Sequence, residues 1–281
     1  MEKFSHFTDK SSGISPFKSS YTALGYGAVL SAVVLFPVKL VLLLLITLLW
    51  SPLLVVGVAA APFASLVLRL FSVGVDVRGS SSGNDNAGLV LVNATGPLDW
   101  FLFQMLSGRM LVMVPDRGHL KRVPGFFAYY QWCISGSLAV PAAWPDLSIE
   151  QAHKAASHNG TVWLLAEGTI TNNRGILPLA NELCQCIDSF KQAGITVRAL
   201  TVKLNMGNVG TVVPVSGIWW LWVNLGRVGG VTQRVKFTKV ESCSSASFRD
   251  AMSGGWLKIL GDSLDVQWKR DFVSALAQSK K

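Results

Sequence analysis

The sequence is poor in charged residues and in cysteine. Only 15% of its 281 residues are Asp, Glu, Lys or Arg, which is lean for a chain that folds in water. The four cysteines form no CxxC pair, and no histidine stands at zinc-finger spacing from them. The pattern therefore gives no support for a metal site, and we expect reduced thiols that mostly fill core space.

Acidic residues are also scarce, since 16 Asp and Glu face 25 Lys and Arg for a net charge of +9. Such a charge favours anionic partners: nucleic acid, anionic lipid headgroups or phosphorylated small molecules. The basic residues are scattered singly or in pairs, without a zinc-finger, homeodomain or RNP pattern. We therefore expect membrane lipids and phosphorylated substrates as partners, and no nucleic acid.

Apolar residues, in contrast, are concentrated near the amino terminus. Within residues 22–68, Lys39 is the only charged residue. About 20 apolar residues span a bilayer, so this stretch is too long for one straight helix, and Pro52 predicts a bend. Basic residues on both flanks predict that both ends face the cytosol, and a buried helical pair in a soluble protein is the alternative. The predicted division is a cytosolic segment 1–21, a membrane hairpin or two short transmembrane helices over 22–72, and one domain over 73–281.

After residue 72, short apolar runs alternate with helical patterns, which implies an α/β layer structure with its site at the carboxyl ends of the strands. Strands are predicted over 88–92, 110–114, 161–165 and 197–204. Helices are predicted over 100–106, 147–157 and 180–193. Two aromatic-rich segments, 119–130 and 218–224, fit either contact with a bilayer or packing in the core.

Two polar loops each follow a predicted strand. The first runs from Asn93 to Asp99, and the second begins with Glu167-Gly168-Thr169 and ends at Arg174. An acid, a glycine that permits close backbone approach, a hydroxyl and an arginine suit a phosphate or polar headgroup. A third stretch, Val213-Pro214-Val215, predicts another apolar strand end.

The order and spacing of these stretches resemble the glycerolipid acyltransferases, which make phosphatidic acid from lysophosphatidic acid. The family's blocks read N-H-x-x-x-x-D, then F-P-E-G-T with polar residues and often an arginine, then V-P-V. The counterparts here are 93–99, Glu167-Gly168-Thr169 with Arg174, and Val213-Pro214-Val215. The resemblance covers most of 74–240 and implies a mixed sheet flanked by helices.

The fungal lysophosphatidic acid:oleoyl-CoA acyltransferases of the endoplasmic reticulum and lipid droplets resemble the chain over nearly its whole length. The shared features are the start Met1-Glu2-Lys3, the Thr-x-Pro-Leu-Asp core of the first block, and the tail Lys269-Arg270-Asp271-Phe272-Val273. This resemblance implies a protein of the endoplasmic reticulum membrane and lipid droplet whose catalytic domain faces the cytosol.

The resemblance also implies roles for particular residues. The catalytic candidates are Asp99, Glu167, Gly168 and Thr169. The candidates for binding lysophospholipid are Asn93, Thr95, Lys121, Arg174 and Pro214. Acyl-CoA is the implied co-substrate, and its activated thioester makes a metal or redox cofactor unnecessary. The structural alternatives are a helix cap for Asp99, a turn for Glu167 and Thr169, and solvated charges for Lys121 and Arg174.

One departure from the family matters for function: Ala94 stands where the family has its histidine. In the family, that histidine takes the proton from the lysolipid hydroxyl while the aspartate orients it, and alanine can do neither. One hypothesis is an acyltransferase in which positioning suffices, or in which His119 or the substrate phosphate accepts the proton. The alternative hypothesis is an inactive lipid-binding or scaffold protein on lipid droplets.

Overall fold

The computed structural model describes residues 2–18, 25–55, 60–79, 88–107, 109–157, 160–179, 181–204, 209–240, 244–261 and 264–279. The helices of this part are α1 (Tyr26–Val55), α2 (Ala60–Leu70), α3 (Asp99–Leu106), α4 (Phe126–Ile134), α5 (Ile149–Ser157), α6 (Asn181–Gln192), α7 (Gly217–Leu225), α8 (Ser245–Ser253) and α9 (Val266–Gln278). The strands are β1 (Val73–Arg78), β2 (Gly88–Ala94), β3 (Met110–Asp116), β4 (His119–Arg122), β5 (Thr161–Ile170), β6 (Gly175–Ile176), β7 (Val197–Leu204), β8 (Val231–Lys239) and β9 (Lys258–Ile259).

Seven strands form one mixed sheet in the order β1-β8-β7-β2-β5-β3-β4, which confirms the predicted α/β fold. The central strands β7, β2, β5 and β3 run parallel, so their carboxyl ends share one edge. β8 runs antiparallel to β7, which brings the beginning of β8 to the same edge. β2 and β5 are buried along their whole length, as expected for apolar runs covered on both faces.

The predicted strands and helices all appear, with ends that differ by at most a few residues. The predicted strand end at Val213-Pro214-Val215 is wrong, because these residues form a loop that leads into α7 and pair with no strand. The strands β1 and β8 were not predicted. Each presents mixed polar and apolar residues, and each is recognisable only through its pairing with the other.

The aromatic-rich segments divide between the core and the surface. Tyr129 and Trp220 are buried. Phe127 and Ile218 are 79% and 81% exposed, and Trp219 is also exposed. Packing in the core is therefore confirmed for Tyr129 and Trp220, whereas contact of the exposed residues with a bilayer stays a prediction.

The apolar segment near the amino terminus begins with one long helix. α1 continues through Pro37 and Pro52 to Val55, so the helix does not end at Pro52, where the sequence predicts a bend. Pro52 has no N–H to donate to the carbonyl of Leu48, and the hydroxyl of Ser51 donates to that carbonyl at 2.9 Å instead. Over Tyr26–Leu53, α1 is long and apolar enough to cross a membrane. Residues 22–24 and 56–59 of the predicted hairpin lie outside the described residues.

The next helix, α2, differs from α1 in being short and in burying one of its faces. α2 has 11 residues, and its inner face packs against α3, with Phe63 in edge contact with Phe101. Phe63, Ala64, Val67 and Leu68 are buried in a cluster with Val73 at the start of β1 and with Trp220 of α7. The second half of the apolar segment thus contributes to the core of the domain.

Lys39 joins α1 to the domain. Its ammonium donates to the hydroxyl of Ser72 at 3.0 Å and to the carbonyl of Arg227 at 2.8 Å. Nearby, Ala32 of α1 lies against Gly226 at the end of α7, close enough that a β-carbon on Gly226 would stand 2.6 Å from the Ala32 α-carbon. One side of α1 is therefore fitted to the domain, whereas its other side exposes leucines and valines.

The segment ahead of α1 packs on the domain as well. Phe7 and Phe17 are buried in a cluster with Leu260 and with Phe272 of α9. The backbone N–H of Asn172 donates to the carbonyl of Pro16 at 2.8 Å, directly after β5. The amino-terminal segment thus covers the loop that follows β5, an arrangement that the sequence did not predict.

The contact between α1 and α7 can be tested at Gly226. We expect Gly226→Ala to lower the free energy of unfolding by about 1–3 kcal/mol, because the added methyl group overpacks against Ala32. Thermal unfolding in detergent measures the change. Gly229→Ala is the matched control, since a β-carbon there meets nothing within 4 Å. Equal effects of the two substitutions would contradict the docking of α1.

Candidate functional site

The two polar loops meet at the carboxyl edge of the sheet because β2 and β5 are neighbours. Their pairing is regular up to Val92 and Leu165 and resumes with Ala94 opposite Ile170. Over this interval β2 advances two residues while β5 advances five, so β5 bulges out of the ladder. Gly168 lies inside the bulge with φ +62°, a conformation that glycine adopts without strain. The bulge carries the catalytic candidates of the second loop, Glu167, Gly168 and Thr169.

Asn93 ties β2 to β7. Its side-chain oxygen accepts from the N–H of Val202 at 2.8 Å, and its side-chain nitrogen donates to the carbonyl of Val202 at 2.9 Å. The nitrogen also lies 3.3 Å from the side-chain amide of Asn173. Asn93 is buried, and these hydrogen bonds satisfy its side chain. No bound ligand is needed to explain a polar residue at this strand end.

Asp99 closes the first loop. Its carboxylate accepts from the N–H groups of Thr95 and Gly96 at 2.5 and 2.9 Å, from the Thr95 hydroxyl at 2.7 Å, and from Gln233 at 2.9 Å. Burial raises the pKa of Asp99 to about 6, and the four hydrogen bonds act in the opposite direction. Asp99 and Thr95 are therefore fully engaged with each other and with β8, in the manner of a structural turn.

Ala94 is buried at the end of β2, in the same apolar cluster as Cys133 and Ile170. Ala94, Thr95 and Asp99 are each about 1% exposed, and none of them lines the cavity that Glu167 and Gly168 border. The first loop, which carries the catalytic pair in the family, is closed in this chain.

Glu167 differs from Asp99 because half of its carboxyl group has no partner. Oε1 accepts from the N–H of Leu177 at 2.8 Å, whereas Oε2 is buried without a hydrogen bond. Burial raises the pKa of Glu167 to about 8, and the hydrogen bond from Leu177 and the charge of Lys269 lower it only in part. At neutral pH the group therefore keeps its proton and is able to donate a hydrogen bond.

Glu167 and Gly168 line an open cavity of about 710 Å³ at this edge of the sheet. Apolar walls are formed by Leu120, Leu147, Leu177 and Leu179, which suits an apolar ligand. The tight turn between β3 and β4 contributes two further side chains, Arg117 and His119. His119 is thus the described histidine that shares a cavity with Glu167.

Thr169 faces away from this cavity and contacts a buried lysine that sequence reasoning missed. Lys269, on α9, donates to the Thr169 hydroxyl at 2.9 Å, to the Ser137 hydroxyl at 2.9 Å and to the carbonyl of Ile170 at 2.6 Å. Burial lowers the pKa of Lys269 to about 7, while Cys133 and Glu167 raise it. A sequence signal did exist, because Lys269 lies on the apolar side of α9 with Phe272 three residues later.

The remaining candidates for substrate binding do not line the cavity. Lys121 forms an ion pair with Asp146 at 2.8 Å, so its charge is already balanced. Arg174 and Pro214 are exposed, and Pro214 lies against Gly136. Of these three, Arg174 follows β5 directly and remains at the same edge of the sheet as Glu167.

The cysteines of the described part of the chain form no disulfide, and one of them, Cys186, lines the cavity. Cys133 and Cys186 are buried free thiols and Cys184 is partly buried, while Cys243 lies outside the described residues. Burial raises the pKa of Cys133 well above its usual value, which makes its thiol unreactive. Among the residues that the structure describes, no group of three or more His, Cys, Asp or Glu side chains could hold a metal ion.

The raised pKa of Glu167 predicts how stability depends on pH. Since the folded value of about 8 exceeds the usual 4.5, the folded protein binds more protons between these values, and this group lowers stability as pH rises. Glu167→Gln cannot ionise. We therefore expect the stability of the Gln variant relative to the native protein to increase from about pH 5 to about pH 7, measured by denaturant unfolding in detergent. The exposed Glu150→Gln is the control, and a difference that does not vary with pH would contradict the burial of a proton on Glu167.

Comparison with known proteins gives one informative similarity. The chain is 26% identical over 212 residues to lysophosphatidic acid:oleoyl-CoA acyltransferase 1 of Saccharomyces cerevisiae, a match that spans 70% of this chain and 69% of that protein. No protein-family model and no solved structure matches the chain. The similarity supports a general acyltransferase function in lipid metabolism, and it confirms the predicted resemblance of this chain to the fungal acyltransferases.

Proposed function

We propose that this protein transfers the acyl group of acyl-CoA to lysophosphatidic acid and so forms phosphatidic acid for phospholipid and triacylglycerol synthesis. The observation that carries the proposal is Glu167, an acid that lines a largely apolar cavity and whose Oε2 has no hydrogen-bond partner. The similarity to the yeast enzyme supports the reaction class. The thioester donor is already activated, so the proposed reaction needs no metal or redox cofactor.

In the proposed reaction, the lysolipid hydroxyl oxygen attacks the thioester carbonyl carbon. The carbon–sulfur bond breaks, and the proton of the hydroxyl ends on the sulfur of CoA. Glu167 holds a proton at neutral pH, and we assign it to donate a hydrogen bond to the thioester oxygen as negative charge develops there. A neutral acid suits this role because its O–H can donate a hydrogen bond, whereas an ionised carboxylate would repel the developing negative charge.

His119 is the proposed proton acceptor in place of the histidine that Ala94 replaces. It lines the cavity that Glu167 also lines, and it is exposed at the start of β4, where it pairs with Asp116 of β3. Arg174, at the same edge of the sheet, is assigned to the phosphate of the lysolipid, where a guanidinium forms strong paired hydrogen bonds. Lys121 is left out of this assignment because Asp146 holds it.

The proposed location is the cytosolic surface of the endoplasmic reticulum membrane and of lipid droplets. α1 exposes a continuous apolar side while its opposite side is docked on the domain. Phe127, Ile218 and Trp219 add exposed apolar groups on α4 and on α7, which contacts α1. A membrane surface would cover all of these groups and would supply both lipid substrates.

The second candidate function is a catalytically inactive lipid-binding or scaffold protein. The observation that favours it is the closed first loop, in which Ala94 is buried and Asp99 has four hydrogen-bond donors around it. Binding of lysophosphatidic acid without turnover would decide for this alternative.

The enzymatic proposal is tested by acyl transfer from oleoyl-CoA to lysophosphatidic acid with purified protein in detergent. We expect transfer by the native protein and a loss on the order of 100-fold in kcat for Glu167→Ala, since a donor to the developing oxyanion is removed. Glu167→Gln keeps an N–H donor and should retain more activity than Glu167→Ala. The exposed Glu150→Ala should transfer at the native rate. Absence of transfer by the native protein, with lysolipid still bound, would overturn the proposal.

The role of His119 is tested separately. We expect His119→Ala to lower kcat by about 10²–10⁴-fold with little change in KM, as for the loss of a general base. The exposed His6→Ala serves as the matched control, because it removes an imidazole far from β3 and β4 in the chain. An unchanged kcat in His119→Ala would assign proton acceptance to the substrate phosphate instead.

A further inference from the structure

The ammonium group of Lys269 is buried among neutral oxygen atoms. Each of its three N–H bonds has one acceptor, namely the hydroxyls of Ser137 and Thr169 and the carbonyl of Ile170. The side chain is fully buried, and in the described part of the chain no carboxylate forms an ion pair with it. A charge in such a place is costly, and an apolar side chain of similar size would fill the same space at lower cost. Packing alone therefore does not account for a lysine here.

The acceptors of Lys269 form a closed network around Thr169. The Thr169 hydroxyl accepts from Lys269 and donates its own hydrogen to the carbonyl of Ser137 at 3.1 Å. The Ser137 hydroxyl accepts from Lys269 and from the N–H of Ile170 at 2.8 Å. Ser137 adopts φ +52°, a conformation that serine rarely takes without such support. The network fixes the rotamer of Thr169 and the backbone of the residue after it.

This network holds the downstream end of the bulge in β5. Ile170 is the residue at which β5 rejoins the ladder, opposite Ala94. The bulge also contains Glu167, which lines the cavity two residues before Thr169, so a shift at Thr169 moves Glu167 as well. The ammonium of Lys269 also donates to the carbonyl of Ile170, and Ile170 pairs with Ala94. Ala94 is the residue that stands where the family has its histidine.

We propose that Lys269 is a positioning residue for acyl transfer and that it acts through Thr169. Its three hydrogen bonds fix the bulge of β5, and thereby the direction in which the Glu167 carboxyl meets the thioester. The inference rests on the proposed function. It makes α9 part of the functional site, although α9 lies about a hundred residues after β5 in the sequence.

The test is a double-mutant cycle in the oleoyl-CoA transfer assay, with kcat and KM measured for both substrates. Lys269→Met and Thr169→Val each break the same contact while keeping the volume of the side chain. We expect each to lower kcat on the order of 10–100-fold at nearly constant KM. The double variant should be no slower than the slower single variant, because both changes remove one interaction. Losses that multiply in the double variant, or a native kcat in Lys269→Met, would overturn the inference.

Folding is controlled in two ways. Lys154→Met introduces the same side chain at an exposed position of α5 and should leave kcat unchanged. If Lys269→Met does not fold, Thr169→Ser is compared with Thr169→Val: regained activity in the serine variant supports the inference, and equal activity of the two opposes it. An inactive native protein would overturn both the function and this inference, whereas an active native protein with an equally active Lys269→Met would overturn the inference alone.

Discussion

The parallel pairing of β2 with β5 is the constraint on which the site depends. It sets two loops, far apart in sequence, side by side at the carboxyl edge of the sheet. Both strands are buried on both faces, so the polar groups at their ends must find partners within the protein. In the first loop, the Asp99 carboxylate accepts hydrogen bonds from the N–H groups of Thr95 and Gly96. In the second loop, β5 bulges out of the ladder, and the bulge contains Glu167, which lines the cavity.

Burial raises the pKa of both acids, to about 6 for Asp99 and to about 8 for Glu167, and hydrogen bonding sets them apart. Asp99 is surrounded by four donors, which favour its charged form against the cost of burial. Glu167 receives one donor and keeps a free oxygen, so burial prevails and its proton is retained at neutral pH. The same edge of the sheet thus holds one acid with both carboxyl oxygens hydrogen-bonded and one acid with an unpartnered oxygen. This division fits a protein in which Ala94 has removed the partner that Asp99 has in the resembling family.

The two ends of the chain are tied to this edge. Lys269 of α9 reaches the end of β5 from one side, and the amino-terminal segment contacts Asn172 from the other. The amino-terminal segment also packs on α9 through Phe7 and Phe272. α1 is itself fixed to the domain by the hydrogen bond from Lys39 to the carbonyl of Arg227.

The sequence by itself determined the fold class and the membrane-competent segment. Runs such as 197–204 are apolar enough to be strands in any arrangement, and a stretch with Lys39 as its one charge is recognisable without neighbours. The loops at Asn93 and Glu167 were found because each follows such a run. The sequence pattern did not predict β8, because its polar and apolar residues are mixed. Its pairing with β7 and β1 identifies it as a strand.

Tertiary structure alone decided which of the polar residues border the cavity. Asn93, Thr95 and Glu167 are similar in sequence terms, since each is a polar residue at a strand end. Only the register shift between β2 and β5 separates the two that are enclosed from the one that borders a cavity. Lys269 joins them because a helix from the end of the chain packs there. Local sequence fixes what a residue can donate, accept or bury, and the long-range packing of strands and helices fixes which of these it does.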